Sequence, residues 1–289
     1  MAQRMTEHSN LISAGELYEH LDDPAWRVVD CRFDLADVNA GNRHYLESHI
    51  PGAIFADLDR DLSAPIGPET GRHPLPGVSE FENFLGQLGI DRNTHVVVYD
   101  ADNGAVASRA WWLLRWSGHR RVRLLDGGFA EWLRQGLSTR ADRETAAHTS
   151  YRVQPREELV IKTQELIEAG DRIRELRLID ARDAQRFDGE LEPIDPVAGH
   201  IPGATNLPLS LSVNDNGTWK SRDQLVALWL GVLGIDKSKP WVVMCGSGVT
   251  ACHLALSGME AGYVEPRVYV GSWSEWIRDP NRPVAPGPG

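Results

Sequence analysis

The chain reads twice, and that repeat restricts its fold more than any other feature. Arg27-Val28-Val29-Asp30-Cys31-Arg32, followed by His49-Ile50-Pro51-Gly52-Ala53, returns as Leu178-Ile179-Asp180-Ala181-Arg182, followed by His200-Ile201-Pro202-Gly203-Ala204. Val96-Val97-Val98-Tyr99-Asp100 returns as Trp241-Val242-Val243-Met244-Cys245. Asp126-Gly127-Gly128-Phe129 with Glu131-Trp132 returns as Gly271-Ser272-Trp273 with Glu275-Trp276. The paired landmarks Asp30/Asp180, His49/His200, Asp100/Cys245 and Trp132/Trp276 lie 150, 151, 145 and 144 residues apart. A nearly constant offset means two similar units, and 289 residues hold two domains of roughly 140 each. The boundaries expected are 1–140 and 157–289, with 141–156 as linker inside the polar, aperiodic stretch 138–156.

Each half carries short apolar strand signals: Val28–Asp30, Val96–Tyr99 and Arg123–Leu125, then Leu178–Ile179, Val242–Met244 and Val268–Val270. Amphipathic stretches lie between them at Ser79–Leu88, Ala105–Trp116, Ser221–Leu233 and Thr250–Ala261. Strand and helix signals that alternate predict α/β domains, each a mostly parallel sheet flanked by helices. The His-Ile-Pro-Gly-Ala segments read as turns into strands, because proline fixes φ and glycine adopts conformations closed to other residues. The Pro- and Gly-rich tail, 281–289, is expected to be extended and to pack little.

The chain carries 41 acidic and 30 basic residues, a net charge of −11, which disfavours nucleic acid or anionic membrane as partner. Cys31, Cys245 and Cys252 form no CxxC pair, so neither a disulfide framework nor a zinc site is indicated; no metal and no cofactor is expected. The N-terminus lacks an apolar secretory core and no run of 18 apolar residues occurs, so the expected location is cytoplasmic.

Chemistry concentrates at Cys245-Gly246-Ser247-Gly248-Val249-Thr250. A buried strand ends at a thiol, turns through two glycines and re-enters as a helix, so backbone N–H groups converge at the positive end of a helix dipole. A free thiol with a pKa near 8.5 is only about 3% thiolate at neutral pH, and a shift of about two units, worth about 2.7 kcal/mol, makes the thiolate the majority form. A Cys-x5-Arg phosphatase cradle is disfavoured, since Ala251 stands where its phosphate-clamping arginine belongs. Sulfur transfer needs only a thiolate and a cradle for a persulfide anion. Asp100 occupies the cysteine position of the first half, so only the second half is expected to be catalytic. Thr250 is expected to cap the following helix, and Cys252 and Cys31 to be structural.

The paired halves, Asp-Ala-Arg, His-Ile-Pro-Gly-Ala, Asp-Gly-Gly-Phe, Gly-Ser-Trp-Ser-Glu-Trp and the Cys245 loop resemble a two-domain rhodanese-type sulfurtransferase over nearly the whole chain. Cys-Gly-Ser-Gly-Val-Thr is most similar to the loop of 3-mercaptopyruvate sulfurtransferases; thiosulfate-using relatives tend to carry basic residues where Gly246 and Ser247 stand. The resemblance implies a Cys245 persulfide loaded from 3-mercaptopyruvate, with pyruvate released and the sulfur passed to thioredoxin, a small thiol or cyanide. It implies substrate binding by Arg186, in Arg186-Phe187, and by Gly246, Gly248, Val249 and Thr250, and a proton relay of Asp59, His73 and Ser247. A second family arginine is replaced by Ile194, which keeps thiosulfate open as donor. A persulfide carrier serving protein partners is the alternative of another class.

Overall fold

The computed structural model describes residues 9–287. Two five-stranded sheets form, and every strand pairing within them is parallel. The first holds β1 (Leu11–Ile12), β2 (Trp26–Asp30), β3 (Ala53–Phe55), β4 (His95–Tyr99) and β5 (Val122–Leu125) in the order β1-β5-β4-β2-β3. The second holds β6 (Val160–Ile161), β7 (Leu178–Asp180), β8 (Thr205–Asn206), β9 (Val242–Met244) and β10 (Arg267–Tyr269) in the order β6-β10-β9-β7-β8, the same topology again. Helices α1 (Ala14–Tyr18), α2 (Ala40–Glu47), α3 (Val78–Gln87), α4 (Ala107–Trp116) and α5 (Gly128–Arg134) belong to the first half. Helices α6 (Thr163–Ala169), α7 (Ala184–Phe187), α8 (Arg222–Leu233), α9 (Ala251–Glu260) and α10 (Ser272–Trp276) belong to the second. The expected α/β class, with a parallel sheet and flanking helices in each half, is what forms.

Central strands β2, β4 and β9 are Val-rich runs buried on both faces, as a parallel sheet covered by helices requires. Both His-Ile-Pro-Gly-Ala segments turn as read: Ala53 N–H donates to the Ile50 carbonyl and Ala204 N–H to that of Ile201, with Gly52 and Gly203 at φ 76° and 87°.

Helices α4 and α9 pack against each other and join the two halves. Every residue of α4 except Arg115 is buried, as is α9 from Ala251 to Gly258. Trp111, Trp112, Leu254 and Ala255 therefore belong to one hydrophobic cluster that draws on both sheets. A partly buried ion triad reinforces the junction, with Glu265 accepting from Arg115 at 2.6 Å and from Arg156 at 2.8 Å.

Two stretches pack more closely than their composition suggests. Residues 141–156 contain neither helix nor strand, yet they lie as a strap on the first half. Thr149 N–H donates to the Gly86 carbonyl, Gln154 N–H to that of Ser117, and Tyr151 and Val153 are buried. The tail corrects the expectation of little packing: Ala285 pairs antiparallel with His200, Gly287 N–H donates to the Asp188 carbonyl, and Trp276 Nε1 donates to the Pro283 carbonyl. A chain rich in Pro and Gly forms no regular element, but its remaining polar backbone groups still find partners. Residues 288–289 of that tail lie outside the described residues, as do residues 1–8.

Candidate active site

Cys245 follows β9 and is 1% exposed. Its sulfur accepts a hydrogen bond from Gly248 N–H at 3.1 Å, so the loop does turn an amide onto the thiol. The turn depends on Gly248, at φ 79°, where a Cβ would stand 2.2 Å from the Val270 carbonyl oxygen. Helix α10 pins the same loop from outside. Cys245 N–H donates to Ser272 Oγ at 3.1 Å, Trp273 N–H to the Cys245 carbonyl and Ser274 N–H to the Gly246 carbonyl. Ser272 adopts φ 53°, a left-handed conformation rare for a side chain-bearing residue, while its hydroxyl bonds the Tyr269 carbonyl.

The first half sends an arm across to this loop. His73 Nδ1 lies 2.8 Å from Ser247 Oγ, and His73 Nε2 lies 3.2 Å from Asp59 Oδ1. Burial, then the Arg109 and Arg72 guanidiniums, push His73 down to about 3, outweighing the half-exposed Asp59 carboxylate. A neutral imidazole has one N–H, and a carboxylate can only accept from it. Nε2 therefore carries the proton, and Nδ1 accepts from the Ser247 hydroxyl. Ser247, His73 and Asp59 thus form a connected chain that crosses the domain boundary. Burial, then Asp57, raises the Asp59 carboxyl above its ordinary value.

On the other side of the loop two guanidiniums flank Gly246. A Cβ there would lie 3.0 Å from Arg72 Nη2 and 3.5 Å from Arg186 Nη2. Arg186 leaves the short helix α7 and bonds Glu192 through Nε at 3.0 Å and Asp195 through Nη2 at 3.1 Å. Arg72 Nη1 bonds Asp195 as well, and its backbone N–H donates to Ser274 Oγ at 3.0 Å. Burial raises the Asp195 carboxyl even with both arginines beside it. Glu192 is lowered instead: burial works against it, but Arg186 and two backbone N–H groups win. Ile194 is exposed, and its N–H merely joins the Glu192 turn. Arg72 sets a second guanidinium beside Gly246, next to that of Arg186.

The remaining candidates divide. Val249 buries its side chain in the shared core, leaving its backbone to the loop. Thr250 stands at the N-cap of α9 but makes no side-chain cap, correcting that expectation; its αR backbone, φ −71° and ψ −14°, differs from the extended geometry usual at a capping position. Cys252 is fully buried, donates to the Gly248 carbonyl at 3.4 Å and is pushed up to about 12 by burial. Burial also raises Cys31 well above the ordinary thiol value. Asp100 does more than end a strand. Its Oδ1 accepts from Asp102 and Gly104 N–H, and its Oδ2 from Val106 and Ala107 N–H. The unarmed loop is an anion cradle occupied by its own carboxylate. Among the described residues, no group of three or more His, Cys, Asp or Glu is placed to hold a metal ion.

Four residues here escape a reading along the sequence: Arg72, Arg109, Ser272 and Ser274. Arg72 adjoins His73, and Arg109 stands inside the apolar run Ala107–Leu114; those were the available signals.

A model of the rhodanese-like domain matches residues 13–135 and again 162–279. A Pseudomonas aeruginosa protein named as a probable 3-mercaptopyruvate sulfurtransferase is 46% identical over 281 residues, covering 96% of this chain and 99% of its own. A Gallus gallus protein named thiosulfate sulfurtransferase is 35% identical over 255 residues, covering 87% and 86%. The crystal structure of SseA from Escherichia coli, titled as a 3-mercaptopyruvate sulfotransferase, superposes with a TM-score of 0.81 at 34% identity, covering 92% of this chain and all of its own.

Proposed function

Because the chain belongs to the rhodanese-like family of sulfurtransferases, we propose that Cys245 takes sulfur from 3-mercaptopyruvate as a persulfide and passes it to a thiol or to cyanide. One observation carries this reading: the Cys245 sulfur sits on the Gly248 amide while Ser247, His73 and Asp59 line up beside it. The Cys245 thiolate attacks the donor sulfur, and the S–S bond forms as the C–S bond breaks. The electron pair of that bond passes to C3 as the pyruvate enolate, which takes up a proton to become pyruvate. Ser247 is the group that receives the donor thiol proton, since its own hydroxyl proton is directed at neutral His73. The loop amides stabilise the terminal sulfur of the persulfide, as an oxyanion hole stabilises oxygen.

Arg186 binds the donor carboxylate at the loop, with the Gly246, Gly248, Val249 and Thr250 backbone shaping the space beside it. The charge balance there favours this donor over thiosulfate. Arg72 and Arg186 are already matched by Asp195 and Glu192, so no excess of cations faces a compact dianion, whereas a mono-carboxylate needs only one partial exchange of partners. Thiosulfate remains the competing donor on one observation, the loss of an arginine at Ile194. The 1% exposure of Cys245 suits small donors and acceptors better than a carrier that docks proteins directly on the sulfur. The acceptor we favour is thioredoxin or a low-molecular-weight thiol in the cytoplasm, and no described helix is long and apolar enough to cross a membrane. The domains we assign are 1–140 and 157–289, the second catalytic. Steady-state kinetics with both donors side by side test the reading: mercaptopyruvate is to give the higher kcat/KM, and a higher value for thiosulfate overturns the choice of donor.

A further inference from the structure

Arg109 is completely buried in α4, in the half of the molecule that carries no thiol. Its guanidinium lies against the Cys252 thiol and over the Trp112 ring, and its closest polar partners are backbone carbonyls. Nη1 donates to Gly248 of the Cys245 loop at 3.2 Å, and Nη2 donates to His73 at 3.1 Å, to Pro74 at 3.2 Å and, more weakly, to Leu62 at 3.5 Å. Its Nε has no partner, and among the described residues no carboxylate pairs with it. Retaining an unpaired charge in a protein interior is costly, and an arginine stays charged there. The groups that can become anions beside it are the thiols of Cys252 and Cys245, and both bear on Arg109 electrostatically.

The repeat supplies an internal control. Helices α4 and α9 are equivalent and begin 144 residues apart, so the counterpart of Arg109 is His253. Each reaches over the shared interface to a carbonyl of the other half's loop: Arg109 to Gly248, and His253 Nε2 to Asn103 at 3.1 Å. His253 is stacked on Trp219, and burial pushes it down to about 4, so it is neutral at physiological pH. The permanent cation faces the loop with the thiol, and a neutral ring faces the loop that already holds Asp100. If bracing the interface were the only task, a neutral donor would serve on both sides.

Taking Cys245 as the sulfur carrier proposed above, the geometry points to Arg109 as a positioning residue for that chemistry. It locks the Cys245 loop and the His73 arm in one register and supplies, from the other domain, the uncompensated positive charge that stabilises the anionic sulfur. The bond to the Gly248 carbonyl fixes the plane of the Gly248–Val249 peptide, and in a trans peptide the Val249 N–H then points the opposite way. Polarising that carbonyl also strengthens the same N–H as a donor. The other charged or titratable groups around this pocket are Arg72, His73 and Asp59 of the arm, and Arg186, Glu192, Asp195 and Cys252 of the second half.

The test is donor-free. The rate of Cys245 alkylation by iodoacetamide is followed against pH in the full chain, with the modified peptide identified by mass, alongside thermal unfolding and the split between kcat and KM. Arg109→Gln is to raise the alkylation midpoint by about one unit, a tenfold loss of reactive thiolate at fixed lower pH. It is also to lower kcat about as much with KM little changed. Arg109→Lys keeps the charge and is to hold the midpoint near that of the unaltered protein, and His253→Gln is to leave it where it was. Arg109→His, the residue that the fold already accommodates at the equivalent position, is to behave as the Gln variant above pH 7 and decides the matter should that variant fail to fold. A folded Gln or His variant with an unchanged alkylation profile, even one of lower thermal stability, overturns the inference. A Lys variant that shifts as far as the Gln variant overturns the role of charge. Because no sulfur donor is used, these outcomes stand apart from whether mercaptopyruvate is the substrate.

Discussion

Replacing Gly248 by alanine separates the sulfur cradle from the fold that carries it. Gly248 sits at φ 79°, where an L-residue is disfavoured by about 1–2 kcal/mol. The added Cβ would lie 2.2 Å from the Val270 carbonyl oxygen and 3.0 Å from Val270 Cα, backbone atoms of the segment after β10 that cannot swing aside. Restoring ordinary contact requires the loop to retreat by about an ångström, a displacement that costs a further ~1–3 kcal/mol as overpacking. The Gly248 N–H then moves beyond hydrogen-bond reach of the Cys245 sulfur, from which it now stands 3.1 Å. Loss of one preorganised donor to a developing anion lowers kcat by about 10²–10³. Gly104 is the counterpart in the unarmed loop, at φ 81°, and its Cβ would meet the Leu124 side chain at 2.9 Å. Gly104→Ala is therefore to destabilise the protein while leaving sulfur transfer near its original rate. Single-turnover pyruvate release and thermal unfolding of the two variants are the assay. A Gly248→Ala protein with kcat within threefold of the unaltered protein refutes the reasoning, because the amide would then not be serving the sulfur.

Arg186→Ala is to raise KM for mercaptopyruvate by about ten- to hundredfold with kcat little changed, the pattern of a lost ground-state contact, and an unchanged KM makes Arg186 a structural partner of Glu192 and Asp195. The stability contributed by His73 and His253 is to fall as pH drops from about 6.5 toward 3. His73 at about 3 and His253 at about 4 are both depressed on folding, so the unfolded chain binds more protons in that window. His253→Gln is to shrink the loss of urea midpoint between pH 7 and pH 4.5, and an equal loss in variant and unaltered protein removes His253 from this account.

The sequence made the central strands and the four long helices legible, because Val-rich runs and amphipathic periods are local signals. The structure moves their ends by only one or two residues, as at Ala107 for α4. The edge strands β1 and β6 were not legible; two residues each are too few to show a period. The Cys245 turn was readable because Gly248 announces its backbone conformation. Thr250 was misread since a threonine before a helix looks the same whether or not its hydroxyl turns inward. Arg72 and Arg109 stayed hidden for a plainer reason: their partners Ser274 and Gly248 lie 202 and 139 residues away, across the domain junction. Local patterns build each half, and the site belongs to neither half alone.

The most direct test of the account is the mass of the protein after exposure to 3-mercaptopyruvate and removal of excess donor. An addition of about 32 Da, one sulfur, is expected on the Cys245 peptide, absent in Cys245→Ser and retained in Cys252→Ser. Pyruvate released in turnover without that mass on Cys245, or the mass surviving in Cys245→Ser, would contradict it.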